Sequence, residues 1–308
     1  MPYQLIEGEV RLFYRSTRHV GSRPDGDSAW FKPDNSKLLE NIGFRSADFN
    51  KGGFAQLRFE SIDALELHFP GSDHQLKDSA VAARDFLLDE LGFKEVTYAP
   101  SDDIPASVRD CKPIAVRASV MTRAIDPFGR PVSFVFPGNA PEKSGSDVFL
   151  EASRLDKSLN AALARKGHAY PAFYSAREIS GQRVGGLPSD LRGHITDLAI
   201  SAFTAGRGVW AFDKTTSGFT VKKKEDLHTL AIWPKLYRRL AKFYDDDSAN
   251  HDSLTGFLDW LHEDRSSRDD LLLVLPIGEL LNISDILDVT TTTLAMQFEP
   301  EELVVLPR

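Results

Sequence analysis

The order of the predicted elements constrains the fold of this chain more than any other feature of its sequence. Up to Gly138, most of the chain consists of short segments in which apolar and polar residues alternate, with turn formers between them. This period of two predicts β-strands. The strand segments are residues 3–16, 28–31, 52–67 and 113–138. Helical patterns dominate from 154 to 213. Strands followed by helices indicate an α+β domain, and a small barrel is one way to close the strands.

Three segments have the apolar spacing of amphipathic helices. The first has a candidate cap at Ser72 or Asp73 and ends near Gly92. The second lies within 154–166 and ends at Gly167, a favourable C-cap. The third is capped by Ser189 or Asp190 and stops near Gly206; its predicted inner face is Leu191, Ile195, Leu198, Ala199 and Phe203. A polar, proline-containing loop is predicted from about 101 to 113.

A different pattern begins at Thr216, so we predict two domains, residues 1–215 and 216–308. The second, which we call the appendage, contains helix candidates at 221–248 and 253–264, and we expect it to be mainly helical. It has 10 Lys and Arg residues against 17 Asp and Glu, a net charge of −7, whereas the preceding residues have a net charge of −1. This acidity predicts that the appendage does not extend a nucleic-acid groove.

The composition is that of a globular protein. The chain has 308 residues, of which 42% are hydrophobic and 27% charged. No run approaches the roughly 18 apolar residues of a membrane span, and the N-terminus lacks a secretory signal pattern. The single cysteine, Cys111, excludes intrachain disulfides and Cys-rich zinc sites, and the histidines lack zinc-like spacing. We therefore expect a cytoplasmic protein with no membrane association.

Carboxylates and arginines recur at three places in the strand region. "DGD" at 25–27 lies in an early turn, "LRFESIDALE" at 57–66 carries Arg58, Asp63 and Glu66, and "DPFGR" at 126–130 forms a hairpin turn. Taken singly, the two turn motifs indicate only turns, and an arginine among apolar residues indicates a structural ion pair. Together they supply what phosphodiester hydrolysis needs. Carboxylates hold a divalent cation and position water, and arginines bind phosphoryl oxygens.

These motifs, in this order, resemble the staphylococcal-nuclease-like (thermonuclease) family. The resemblance runs from about Gln4 to Asp213 and continues through "LNAALARKGHAY" and "LPSDLRGHITDLAISAFTAGRGVWAFD". It implies a five-stranded OB-type barrel with three packed helices. It also implies calcium-dependent cleavage of DNA or RNA, by attack of water at phosphorus, with the 5′ oxygen as leaving group.

The resemblance also implies roles for individual residues. Asp27 and Asp63 would be Ca²⁺ ligands, together with the backbone carbonyl of Ala64, where the family usually has threonine. Glu66 would take the position of the glutamate proposed as general base. Arg58 and Arg130 would be the phosphate-binding, transition-state arginines.

The substrate pocket departs from the family pattern. Leu65 replaces a proline that stiffens the loop before Glu66, and Pro127-Phe128 replaces a basic-aromatic pair. In this pocket Asp126 and Phe128 are candidate substrate-binding residues, and Phe128 can still stack on a base. Phe173 or Tyr174 could supply a second aromatic wall, although an isolated aromatic residue is more often part of a core.

Three functions remain open. The first is a Ca²⁺-dependent nuclease acting on DNA, RNA or both. The second is an OB-type nucleic-acid-binding module without catalysis, and the third is a phosphodiesterase for small nucleotides. A nuclease among the cell's own nucleic acids also needs restraint, so we expect low basal activity, narrow substrate choice or a regulatory protein partner. The apolar helices of the appendage must either pack back on the barrel or meet another subunit. We expect self-association, most simply as a homodimer, or docking of a partner.

Overall fold

The computed structural model describes residues 2–13, 21–70, 73–100, 107–179 and 182–306. In the first part of the chain, eight strands and one helix alternate with turns. They are β1 (Tyr3–Arg11), β2 (Ser28–Pro33), β3 (Ala55–Phe59), β4 (Ser61–Asp63), α1 (Lys77–Leu91), β5 (Glu95–Tyr98), β6 (Val108–Lys112), β7 (Ala115–Ile125) and β8 (Pro131–Pro137). Within the described ranges the predicted strand segments are confirmed, and positions 14–16 of the first segment lie outside them.

Five of these strands close into a β-barrel. β1 pairs with both β2 and β7, β2 pairs with β3, and β8 joins β7 to β3. Only the β3–β8 pairing in this barrel is parallel. This closure removes exposed sheet edges, and it confirms the α+β prediction and is compatible with an OB-type barrel.

The alternation along β3 decides which side chains reach the surface. Leu57 and Phe59 are buried in the barrel core, while Arg58 between them is only half-buried. Successive side chains of a strand point to opposite faces, so Arg58 leaves the barrel interior. The chain then turns through Ser61, at φ 70°, into the short strand β4, which ends at Asp63.

The middle of the chain supplies the packed helices. Its elements are β9 (Asp147–Val148), α2 (Ala152–Leu155), α3 (Leu159–Lys166), β10 (Tyr170–Tyr174), β11 (Arg177–Ile179), β12 (Gln182–Val184) and α4 (Ser189–Thr204). The left-handed glycines Gly92 and Gly167 end α1 and α3, as predicted.

Four details of the helix and loop predictions are wrong. The residue capping α1 is Leu76, and the residue capping α4 is Pro188. Phe203, expected on the inner face of α4, is 51% exposed. The expected loop at 101–113 contains strand β6, which pairs with β5 and buries Cys111. The remainder of that loop, 101–106, lies outside the described residues, as does the proposed cap at position 72.

The appendage is a mixture of helices and strands, so the prediction that it is mainly helical is wrong. It contains β13 (Phe219–Thr220), α5 (Pro234–Asp245), α6 (Thr255–Glu263), β14 (Leu271–Val274), β15 (Glu279–Asn282), β16 (Leu287–Val289), β17 (Thr293–Met296) and β18 (Leu303–Leu306). Strands form here because segments of the appendage pair with one another: β14 lies between β15 and β18, and β18 is distant from it in sequence.

The appendage packs against the preceding region through a shared sheet and a shared core. β18 runs parallel to β10, and β10 in turn pairs with β4. One hydrophobic cluster joins Leu65, Leu67 and Tyr170 to Trp233 and Leu236 of the appendage. The backbone N–H of Leu76 also donates to Leu230 O at 2.9 Å. As a result, α5 lies next to the end of β4.

None of the helices in the described ranges has both the length and the apolar character needed to cross a membrane.

Candidate functional site

A cleft of about 910 Å³ lies between one face of the barrel and helix α5. Most of the residues predicted for function line it: Asp27, Arg58, Asp63, Glu66, Asp126, Phe128, Arg130 and Tyr174. They come from the turn before β2, the β3–β4 region, the β7–β8 turn and the end of β10. The fold therefore brings together side chains that are more than a hundred residues apart in sequence.

Two predicted residues do not line the cleft. Phe173 is 2% exposed and belongs to a hydrophobic cluster with Tyr3 and Phe134, so it is a core residue. Tyr174, the next residue on β10, points the other way into the cleft. Ala64 is buried as well, but its backbone N–H donates to Asp27 Oδ2 at 3.3 Å.

Four carboxylates form one wall of the cleft: Asp25, Asp27, Asp63 and Glu66. Burial, followed by the negative charges of Asp63 and Glu66, raises the pKa of Asp27 to about 7. Burial and the charges of Glu66 and Asp27 likewise raise the pKa of Asp25 well above its ordinary value. Asp25 Oδ1 is buried and has no hydrogen-bond partner among the described residues. The wall thus gathers acidic groups, and ionisation of Asp25 and Asp27 in it is unfavourable.

Arg238 of α5 compensates two of these carboxylates. Its Nη1 donates to Asp63 Oδ1 at 3.1 Å and to Glu66 Oε1 at 2.6 Å, and its Nη2 donates to Asp63 Oδ2 at 2.5 Å. Burial alone would raise the pKa of Asp63, but Arg238 and Arg58 hold it below its ordinary value. The guanidinium therefore bridges a predicted cation ligand and the predicted base.

Arg58 leaves the barrel core and stacks on an aromatic ring. Its guanidinium carbon is 4.6 Å from the ring centroid of Tyr174, and Lys235 Nζ is 5.6 Å from the same centroid. Burial favours the neutral phenol, yet the charges of Arg58 and Lys235 lower the pKa of Tyr174. Tyr174 therefore holds two cations in place at the cleft surface.

The turn between β7 and β8 presents Phe128 and Arg130. Asp126 Oδ1 accepts from the backbone N–H groups of Phe128 and Arg130, both at 2.9 Å, and its Oδ2 accepts from Arg130 Nε at 2.8 Å. The Asp126 side chain is thereby used to build the turn and orient Arg130. Phe128 is 76% exposed, and the guanidinium carbon of Arg130 lies 5.5 Å from its ring centroid, so the ring is still largely open to solvent.

The appendage contributes a row of cations that the sequence analysis missed. Lys235, Arg238, Arg239 and Lys242 all line the cleft. The appendage therefore contributes to this cleft, and if the cleft is the substrate groove, the expectation that the appendage does not extend it is wrong. Arg238, Arg239 and Lys242 follow Lys235 by three, four and seven residues, which places all four on one face of α5. This spacing could have been read from the sequence, but the negative net charge of the appendage drew attention away from it. Asp270 pairs with Lys235 at 3.0 Å and with Arg239 at 2.8 Å.

The carboxylate wall offers the oxygen ligands that a hard divalent cation prefers. Two of its carboxylates, Asp63 and Glu66, are however paired with Arg238. Among the described residues, no three His, Cys, Asp or Glu side chains are arranged to hold a metal ion. The unpartnered oxygen of Asp25 and the raised pKa of Asp27 nevertheless mark a place where added positive charge would be favourable. Asp63 would join such a site only after Arg238 releases it.

A scan against protein-family models and a search of curated proteins find no match for this chain. The fold and the site define a class no narrower than a closed five-stranded α+β barrel protein with a charged cleft.

Proposed function

We propose that this protein is a phosphodiesterase that hydrolyses nucleic acid with the help of calcium. One observation carries the proposal. A single cleft collects acidic side chains, Arg58 stacked on Tyr174, the oriented arginine Arg130 and the exposed ring of Phe128. A phosphodiester offers matching groups, since its oxygens bind arginine, its charge is neutralised by a cation, and its bases stack on aromatic rings.

Each group has a role in this proposal. Arg58 and Arg130 bind the scissile phosphate and stabilise the charge that develops as water attacks phosphorus. Asp27 and Asp63 would hold the cation, with Asp25 beside them, and Glu66 accepts the proton of the attacking water. A bound calcium ion would supply the charge neutralisation that lets a polyanion approach four carboxylates. Phe128 and Tyr174 provide aromatic surface for the flanking nucleotides.

A second candidate is a nucleic-acid-binding barrel without catalysis. The Arg238 contacts favour it, because a guanidinium on both Asp63 and Glu66 does the structural work that a metal would otherwise do. A third candidate, cleavage of small nucleotides only, is favoured by the net charge of −8 and by Pro127, which stands where the resembled family has a basic residue.

One assay separates the three candidates. The purified protein is incubated with labelled single-stranded DNA, duplex DNA, RNA and a dinucleotide, each with calcium or with a chelator. Calcium-dependent cleavage of a polynucleotide supports the nuclease, binding without cleavage supports the silent module, and cleavage of the dinucleotide alone supports the third candidate.

Two substitutions test the arginine roles within this assay. Arg58→Ala and Arg130→Ala should each lower turnover by on the order of a hundredfold, because each removes a contact to the charge that develops at phosphorus. Arg109→Ala, an exposed arginine away from the cleft, is the matched control. Unchanged turnover in either cleft variant would contradict its assigned role.

A further inference from the structure

Two arginines of the cleft have neither a role in the proposed chemistry nor a carboxylate partner among the described residues. Arg45 and Arg177 both line it and are both half-buried. Neither forms an ion pair with a carboxylate in the described part of the chain, whereas Arg130, Lys235, Arg238 and Arg239 all do. Asp48 also lines the cleft but, within the same described ranges, does not pair with either arginine.

The fold holds these two arginines on adjoining segments. Arg177 lies opposite Val184 in the β11–β12 hairpin. Val184 in turn packs against the loop that carries Arg45, because a Cβ placed on Gly43 would lie 2.5 Å from Val184 Cγ1. The two cations are close enough to repel, since burial and then the charge of Arg45 lower the pKa of Arg177. Two like charges held together in a concave surface attract an anion.

This pair adjoins the end of the cleft where Phe128 and Arg130 lie. The backbone N–H of Asp48 donates to Gly129 O at 2.9 Å, which joins the Arg45 loop to the β7–β8 turn. On the other side, Gly186 O accepts a hydrogen bond from the guanidinium of Arg123 in β7. Asp126 follows Arg123 by three residues. The loop that carries Arg45 and the segment that follows β12 are thus hydrogen-bonded to the β7–β8 turn and to β7, which present Arg130.

We propose that Arg45 and Arg177 form a second phosphate-binding subsite, which takes a phosphate neighbouring the scissile one on the same strand. This inference rests on the proposed function and names its substrate as an oligonucleotide of several phosphates rather than a dinucleotide. Two guanidinium groups can each bind a phosphate through paired N–H groups. Phe128, exposed on the same turn as Arg130, provides a stacking surface for a neighbouring base.

The test measures binding without cleavage. With calcium present, fluorescence anisotropy gives the affinity of labelled phosphorothioate hexathymidylate, whose linkages resist cleavage, and competition gives that of phosphorothioate thymidylyl-thymidine, which has one phosphate. Arg45→Ala/Arg177→Ala should weaken hexamer binding by on the order of tenfold. The slope of the logarithm of the binding constant against the logarithm of the salt concentration should become less steep by about 0.7 for each phosphate that the variant no longer binds. Dinucleotide binding should not change, and Arg109→Ala should bind both probes like the parent.

Two results would overturn the subsite: parental hexamer affinity in the double variant, or an equal loss of affinity for hexamer and dinucleotide. If thermal unfolding shows that the double variant is not folded, the single Arg→Gln variants replace it under the same criteria. If the parent binds no oligonucleotide, the proposed function fails, and titration with tripolyphosphate decides the subsite separately. Binding that depends on Arg45 and Arg177 would support an anion site, and binding that does not would overturn it.

Discussion

At the scale of single residues, the carboxylate wall couples protonation of Asp27 to stability and to cation binding. The pKa of Asp27 lies at about 7, against an ordinary value of 3.8, because it is buried beside Asp63 and Glu66. Between these two values the folded protein binds a proton that the unfolded chain releases. The contribution of Asp27 to stability is therefore most favourable below about pH 4, decreases as the pH rises and is constant above about pH 7.

Asp27→Asn should remove this pH dependence. Without calcium, we expect the variant to unfold at a higher temperature than the parent at pH 8, with a smaller difference at pH 5, because the amide cannot ionise. Thermal unfolding in chelator at both pH values measures this effect. Asp34→Asn is the control, since a hydrogen bond from Arg117 lowers the pKa of Asp34 and its removal should not stabilise the protein at pH 8. A variant that is no more stable than the parent at pH 8 would contradict the assignment.

At the scale of elements, helix α5 brings a guanidinium to the position where the proposed function requires a cation. Arg238→Ala would leave Asp63 and Glu66 facing each other without their partner, which costs on the order of 3–5 kcal/mol for a buried pair. We expect a lower unfolding temperature in chelator and partial recovery with calcium, because the freed carboxylates can then bind the ion. Thermal unfolding with a calcium titration measures both effects.

The neighbouring arginine provides the matched control for this prediction. Arg239 lies on the same helix face but pairs with Asp270, away from the carboxylate wall. Arg239→Ala should lower the unfolding temperature without recovery by calcium. Equal behaviour of the two variants in calcium would show that Arg238 does not compete with a cation. If Arg238 does compete, its release offers a physical basis for the restraint expected of such a nuclease.

The sequence predicts local structure at this scale better than it predicts contacts between elements. The barrel strands and the turn at Asp126 follow from alternation and turn residues close together in the chain, and the structure confirms them. The β5–β6 pair was missed, because loop composition hid a strand whose partner lies more than ten residues away. Arg238 could not be assigned to the cleft, since its contact with Asp63 spans 175 residues and depends on how the appendage packs.

At the scale of the whole molecule, the apolar residues of the appendage are used within the chain. Leu236, Leu240, Phe243 and Phe257 are fully buried in the cluster that also contains Leu65. Of the two expected outcomes, packing against the barrel region accounts for these faces, and a homodimer through residues 216–308 stays a prediction. Light scattering on the full-length protein checks it. If a dimer forms, exposed side chains must mediate it, such as Leu280 on the edge strand β15.

Removal of the appendage tests whether the barrel region can fold by itself. A chain ending at Asp213 would lose β18, the parallel partner of β10, and would expose Leu65, Leu67 and Tyr170. It would also lack Arg238, which leaves the carboxylate wall without its principal cation. Exposure of a fully buried large apolar side chain costs about 1.5–3 kcal/mol, so exposure of Leu65, Leu67 and Tyr170 removes much of the roughly 5–15 kcal/mol by which a typical domain is stable. We expect the truncated protein to be poorly soluble, or to unfold at a much lower temperature than the full-length protein. Solubility and thermal unfolding of both forms, each with and without calcium, measure this. A truncated protein as soluble and as heat-stable as the full-length form would show that the appendage is an independent domain, because the shared core would then be dispensable.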